Sequence, residues 1–258
     1  MRHRFRRGDP YDFYKSLATK KQDRITLAAM TNHPTPLHGR TVVLSGGTST
    51  LGLVSARRLV EAGARVVVAG HDDDKLTRAA ASVPEIATMR VDLTDESGVF
   101  RFADRVHQEF GNVDGVLHLV GGWRGGGGLA GQSESDFRFL ERSLTALRHV
   151  SRAFDDDLRA SSAGRTAIVS STTVLSPLAG GANYAAIKAG CEAWMRAVAQ
   201  GFAKYARDLD MPPTASCAVI RIATLAGLEA AVASAFVDMW TSSTPETFRE
   251  ILVSASAG

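Results

Sequence analysis

Three groups of residues have types and spacings that can do chemistry. Tyr184-Ala-Ala-Ile-Lys188 is the first. A four-residue step on a helix puts the phenol and the ammonium on one face, one turn apart. A nearby ammonium favours the phenolate and lowers the tyrosine pKa. That makes an acid/base usable near neutral pH. Ser171 is the second, 13 residues before Tyr184 and just past a run, 166–170, that reads as a strand. A hydroxyl at a strand's carboxyl end faces the crevice where open α/β sheets bind ligands. There it is placed to hold a substrate oxygen beside the tyrosine. The third is the turn Gly46, Gly47, Thr48, Ser49, Thr50, Leu51, Gly52 that follows Ser45. Small residues let the backbone approach a pyrophosphate, and free amides at a helix start bind its charge.

These residues need elements to position them. Thr41 to Ser45 is a β-branched run, and Leu51 to Ala62 has helical spacing that stops at Gly63. Arg65 to Ala69 reads as a second strand, and Asp72, Asp73 and Asp74 suit the start of a helix. Strands are expected at 87–91, 114–120, 166–170 and 215–220, with a last one at Ile251 to Val253. Helices are expected near 95–110, 133–160 (one, or two in series), 182–207 and 228–241. Strands alternating with helices of this length imply right-handed crossovers and a parallel sheet.

Composition sets the frame. The chain has 258 residues, 45% hydrophobic and 22% charged, as an ordinary globular protein does. That excludes a disordered, collagen-like or disulfide-rich chain. The net charge is +3, but residues 1–38 hold eight Lys or Arg against three Asp. This basic N-terminal arm reads as a loose extension, with Met30 as an alternative natural start. The domain, 39–258, is then slightly acidic, so the basic balance says little about a nucleic-acid groove on it, and no nucleic-acid partner is expected. Cys191 and Cys217 match no metal or redox spacing and read as buried apolar residues. No metal site is expected. No secretory signal is visible, and the uncharged stretch Thr166 to Ile187 contains Pro177, Gly180 and Gly181, unlike a membrane span. A cytoplasmic protein is the expectation.

The order Gly-rich turn, strand-end Ser171, then Tyr184-x-x-x-Lys188 resembles the short-chain dehydrogenases/reductases over about 40–254. The resemblance implies a single-domain α/β Rossmann fold, a doubly wound parallel sheet. It implies an NAD(P)-dependent oxidoreductase moving a hydride between a nicotinamide and a small alcohol or carbonyl substrate. Tyr184 is then the acid/base, Lys188 lowers its pKa and holds the nicotinamide ribose, and Ser171 orients the substrate oxygen. Asp92 and Leu93 match the adenine-contacting segment after the third strand, for which a structural turn is the alternative. Val120 and Gly121 match the segment lining the cofactor after the fourth. Homodimers or homotetramers pair through the Tyr-Lys helix, here carrying Ala189, Ala193, Ala197 and Ala199, and the long helix before it.

The chain also departs from the family. Thr50 replaces a turn glycine, and His118-Leu119 replaces two asparagines, with His118 expected to pack or cap. Ser143 aligns with the catalytic asparagine, where a shorter hydroxyl needs an extra water to relay protons. Arg221-Ile222 replaces a Pro-Gly; Arg221 is a candidate for a cofactor phosphate, a substrate acid or a surface ion pair. About six residues separate Ile222 from the next helix, so the usual substrate lid is nearly absent. The loop 121–128, with Trp123 and Arg124, is the nearest replacement, or else a disordered hairpin. Cofactor choice turns on Gly70-His71-Asp72: position 70 lacks the acid that binds NAD ribose, and His71 tilts the reading to NADP. His107, His149 and Asp155 to Asp157 read as helix surface, and Trp194 and Met195 as packing. The rival reading is a weakened nucleotide-binding or regulatory protein on the same fold.

Overall fold

The computed structural model describes residues 37–241 and 246–254. The expected basic arm, apart from its last two residues, and Met30 lie outside the described residues. Among the described residues, seven strands form one sheet: β1 (Thr41–Ser45), β2 (Arg65–Gly70), β3 (Ala87–Arg90), β4 (Gly115–His118), β5 (Arg165–Ser171), β6 (Ser216–Ile222) and β7 (Phe248–Leu252). Their order is β3-β2-β1-β4-β5-β6-β7, and every pair is parallel. Seven α-helices among the described residues accompany them: α1 (Thr50–Glu61), α2 (Asp73–Ser82), α3 (Glu96–Phe110), α4 (Glu134–Ala153), α5 (Asp155–Ala160), α6 (Ala182–Asp208) and α7 (Glu229–Val237).

The inner strands are buried on both faces, as in the continuous β-branched run Thr41-Val42-Val43, while the edge strands β3 and β7 are partly exposed. α3, α4 and α6 cover one face, where Phe102, Phe154, Met195 and Phe202 pack. α1, α2 and α7 cover the other, with Leu59, Leu76, Val232 and Phe236. This is the doubly wound Rossmann-type α/β fold that the alternation implied. Strand order reverses between β1 and β4, and ligands of such sheets bind outside the carboxyl ends at that point. The Gly-rich turn leaves β1 there, and His118 ends β4.

Some elements differ from expectation. The last helix stops at Val237 and continues as a 3-10 turn, Asp238–Trp240, and β7 starts three residues earlier than read. His149 is buried, not on the helix surface, with Nδ1 3.2 Å from Leu93 O. Its partner lies in the segment that leads from β3 into α3, and α3 packs against α4. Ala199 is likewise in the core. Met195 and the cysteines are buried, and Trp194 Nε1 donates to Ser151 Oγ at 2.8 Å. Among the described residues, no helix is long and apolar enough to cross a membrane, and no group of His, Cys, Asp and Glu is arranged to hold a metal.

Candidate active site

The turn after β1 is held from β2: Gly46 N donates to Ala69 O at 2.9 Å. Gly46 has φ +79°, and a Cβ there would stand 2.8 Å from Val120 Cγ2. A Cβ on Gly52 would stand 2.0 Å from Gly47 O. Both glycines are therefore required by the turn itself. Ser49 caps α1 by accepting Gly52 N at 3.2 Å. No acidic residue occupies the first turn of α1, so its positive end is free for an anion. Ser49 and Thr50 are exposed at this end, Thr48 is half-buried and Leu51 is buried. This arrangement fits the diphosphate of a dinucleotide.

Thr48 also sets the end of β2. A Cβ on Gly70 would lie 3.2 Å from Thr48 Cγ2, so His71 emerges beside the turn, exposed. Asp72 is committed elsewhere: its Oδ1 caps α2 by accepting Lys75 N at 3.0 Å. Arg90 was not anticipated. It ends β3 in register with Gly70, and its Nε donates to His71 O at 3.3 Å while pairing with Asp73 at 3.3 Å. The strand register was the available signal. Asp92 closes a turn, accepting Thr94 N at 2.9 Å and Thr94 Oγ1 at 2.7 Å. These bonds hold its carboxyl below the usual range. Leu93 is buried.

His118 is a packed residue, as expected. Its Nδ1 lies 2.8 Å from Ser45 Oγ and its Nε2 3.1 Å from Ser143 O. A carbonyl can only accept, so Nε2 carries the hydrogen and Nδ1 accepts from Ser45. Burial, with the charge of Lys188 second, pushes the His118 pKa down to about 3, so the ring is neutral. Ser143 Oγ donates to Leu140 O at 2.8 Å. Val120 is half-buried against the Gly46 turn. Gly121 borders the lysine: a Cβ there would lie 3.5 Å from Lys188 Nζ.

The structure brings Ser171, Tyr184 and Lys188 together. Ser171 ends β5, and its Oγ accepts Thr173 N at 3.2 Å and Thr173 Oγ1 at 2.9 Å. Its side chain also interacts with the Tyr184 phenol. Lys188 Nζ sits 5.9 Å from the centre of the Tyr184 ring and donates to Val169 O at 2.8 Å. The pKa expectation for Tyr184 is corrected here. Burial pushes the phenol up, and the Ser171 interaction only opposes this. Burial pulls the Lys188 ammonium down, against Cys191 and Glu192.

Arg221 is neither a ligand contact nor a surface ion pair. It is buried at the end of β6, with its guanidinium engaged by Glu192 and Glu250. Glu192 was not singled out by sequence, and only its place eight residues after Tyr184 hints at it. The loop after β4 is tied down by hydrogen bonds to the segment around Gly180. Gly126 N donates to Gly180 O at 2.7 Å, and Gln132 Nε2 reaches Gly126 O, Gly128 O and Gly180 O at 3.0–3.2 Å. Gln132 Oε1 accepts Asn183 N at 3.1 Å. One glutamine thus fastens this loop to the segment leading into Tyr184. Trp123, Leu129, Leu175 and Leu178 on these two segments are exposed.

Comparisons with known proteins agree with this geometry. A family model described as short chain dehydrogenase matches residues 40–206. The 2,3-dihydroxy-2,3-dihydro-p-cumate dehydrogenase of Pseudomonas putida is 27% identical over 198 residues, covering 75% of this chain and 76% of that protein. The cis-4-hydroxycyclohexanecarboxylate dehydrogenase of Sinomonas cyclohexanicum is 31% identical over 178 residues, covering 64% and 68%. The crystal structure of a metagenomic short-chain oxidoreductase in complex with NADP superposes with a TM-score of 0.72 at 22% identity, covering 86% of this chain and 100% of that one. With most of its sheet and the Tyr184–Lys188 helix inside the matched region, this chain belongs to the short-chain dehydrogenase family.

Proposed function

We propose that this NAD(P)-dependent oxidoreductase interconverts a small alcohol and its carbonyl, with Ser171, Tyr184 and Lys188 as the working set. The observation that carries the reading is their convergence at the carboxyl end of β5, beside a turn that fits a diphosphate. Gly46, Thr48 to Gly52, Asp92, Leu93, Val120 and Gly121 would border the dinucleotide, and Lys188 its nicotinamide ribose. A bound nicotinamide supplies or takes up the hydride. In the reducing direction Tyr184 gives its proton to the substrate oxygen and Ser171 donates a hydrogen bond to it. In the oxidising direction Tyr184 takes the proton back, and the Lys188 ammonium stabilises the phenolate it starts from. Acid/base help of this kind contributes roughly 10²–10⁴ in rate.

His71, just past β2, and Arg90, at the end of the neighbouring β3, support NADP over NAD. The four exposed apolar side chains on the fastened loops support an apolar substrate body. Two relatives are named for ring alcohols, which supports a cyclic one. The exposed Ala189, Ala193 and Ala197 support pairing of α6 with a second copy, and two buried thiols support a cytoplasmic setting. A second reading, a nucleotide-binding protein with weakened turnover, is favoured by Ser143, whose hydroxyl is spent on Leu140 O.

Titration with NADPH and with NADH, followed by a panel of cyclic and open-chain ketones, tests the proposal. Saturable binding with NADPH the tighter, and turnover of at least one ketone, is expected. No binding of either at millimolar concentration overturns it.

A further inference from the structure

Tyr184, Lys188 and Glu192 follow one another at single helical turns along α6. They meet β5 at its last three residues. Tyr184 interacts with Ser171, Lys188 Nζ donates to Val169 O, and Ser170 Oγ donates to Glu192 Oε1 at 2.7 Å. Glu192 is only 1% exposed. Its carboxylate also accepts Arg221 Nε at 3.0 Å and Nη2 at 2.6 Å. Arg221 reaches Glu250 on β7 at 2.8 and 3.1 Å, and Arg196 reaches Glu250 at 2.8 Å and Glu192 at 3.5 Å. Charges therefore alternate from the solvent side inward: Arg196, Glu250, Arg221, Glu192, Lys188.

A buried ion pair is weak evidence for stability, because desolvation offsets most of the attraction. The arrangement matters instead for what it does to the lysine. The groups facing Lys188 from α6, β4 and β5 are Tyr184, Cys191, Glu192, His118 and the Val169 carbonyl. Burial holds the His118 ring neutral and raises both the Cys191 thiol and the Tyr184 phenol. Glu192 is the one carboxylate among them. Arg221 stands between two carboxylates, so one negative charge is left over, with Arg196 outside and Lys188 inside to share it.

We propose that Glu192 is a positioning residue of the reaction: its carboxylate, fixed by Arg221 and Ser170, keeps the buried Lys188 cationic and in place beside Tyr184. The inference rests on the catalytic reading of Lys188 given above.

The test is a carbon-13 NMR titration of the Lys188 Cε in the full-length, lysine-labelled protein without added cofactor, assigned with Lys188→Met. Glu192→Gln is expected to move the titration midpoint down by about one pH unit or more. The alkaline limb of NADPH binding should move the same way, and Glu192→Asp should restore part of both. A folded Glu192→Gln protein with the wild-type midpoint overturns the proposal. If circular dichroism shows Glu192→Gln unfolded, Glu250→Gln at the outer end takes its place. A smaller downward shift is then expected, and an unchanged midpoint overturns the proposal. The titration is read in the free protein, so a failure of wild-type NADPH binding bears on the proposed function and leaves this test intact.

Discussion

Ser171 accepts two hydrogen bonds from Thr173, one from its amide at 3.2 Å and one from its hydroxyl at 2.9 Å. A hydroxyl has two acceptor sites and one donor. Both acceptor sites of Ser171 are filled, so its proton is left to donate. A substrate oxygen beside Tyr184 needs a donor of this kind. Ser171→Ala should therefore lower ketone reduction by roughly 10², the usual loss of one oriented donor. Thr173→Val keeps the amide bond and loses the other, and should cost less, about tenfold. Steady-state NADPH oxidation checks both. Equal losses in the two variants would speak against a directed Ser171 proton.

His118 makes stability depend on pH. Its folded pKa is lowered from the ordinary 6.5 to about 3. The unfolded chain therefore binds more protons than the folded one between those values. Stability should be full above about pH 6.5 and fall as the pH drops toward 3, by about 1.4 kcal/mol per unit from this group. Urea unfolding at pH 7, 6, 5 and 4 measures the slope. His118→Asn keeps a donor and an acceptor and should flatten it. An identical slope in that variant would assign the acid sensitivity to carboxylates.

Much of this was legible in the sequence for physical reasons. Strands buried on both faces must be continuous apolar runs, so β1, β2 and β6 announce themselves. The turn at 46–52 and the Tyr184–Lys188 step are local in sequence. Nonlocal pairings leave no such mark. Glu192 meets Arg221 across 29 residues, and Gln132 meets Gly180 across 48. The same holds for Arg90, which reaches His71 only through strand register. The sign of the Tyr184 shift was misread because spacing reveals the neighbouring cation but not the burial, which dominates.

Arg90, at the end of β3, brings a guanidinium to the end of β2. Its guanidinium is held beside His71 by the His71 carbonyl. Arg90→Ala should weaken NADPH binding by about tenfold, the scale of one charged hydrogen bond, and leave NADH binding unchanged. Fluorescence titration with both nucleotides decides this, and parallel losses for both would remove Arg90 from cofactor discrimination.

Gln132 holds the loop after β4 against the segment that leads into Tyr184. Gln132→Ala removes the side-chain bonds to Gly126, Gly128 and Gly180 and the acceptor of Asn183 N. Amide exchange at Gly126 and Asn183 should rise by at least about tenfold, since each bond is worth about 1 kcal/mol. Amides of β5 should not change. Unaltered exchange at both positions would show that the loop is held by other contacts.

The central claim is that Tyr184 moves the proton. The most direct measurement compares NADPH-dependent ketone reduction by the wild type and by Tyr184→Phe, with NADPH affinity and circular dichroism recorded for each. The account predicts an intact fold, unchanged NADPH affinity and a rate loss of at least roughly 10². A Tyr184→Phe protein that reduces ketones at the wild-type rate would contradict it.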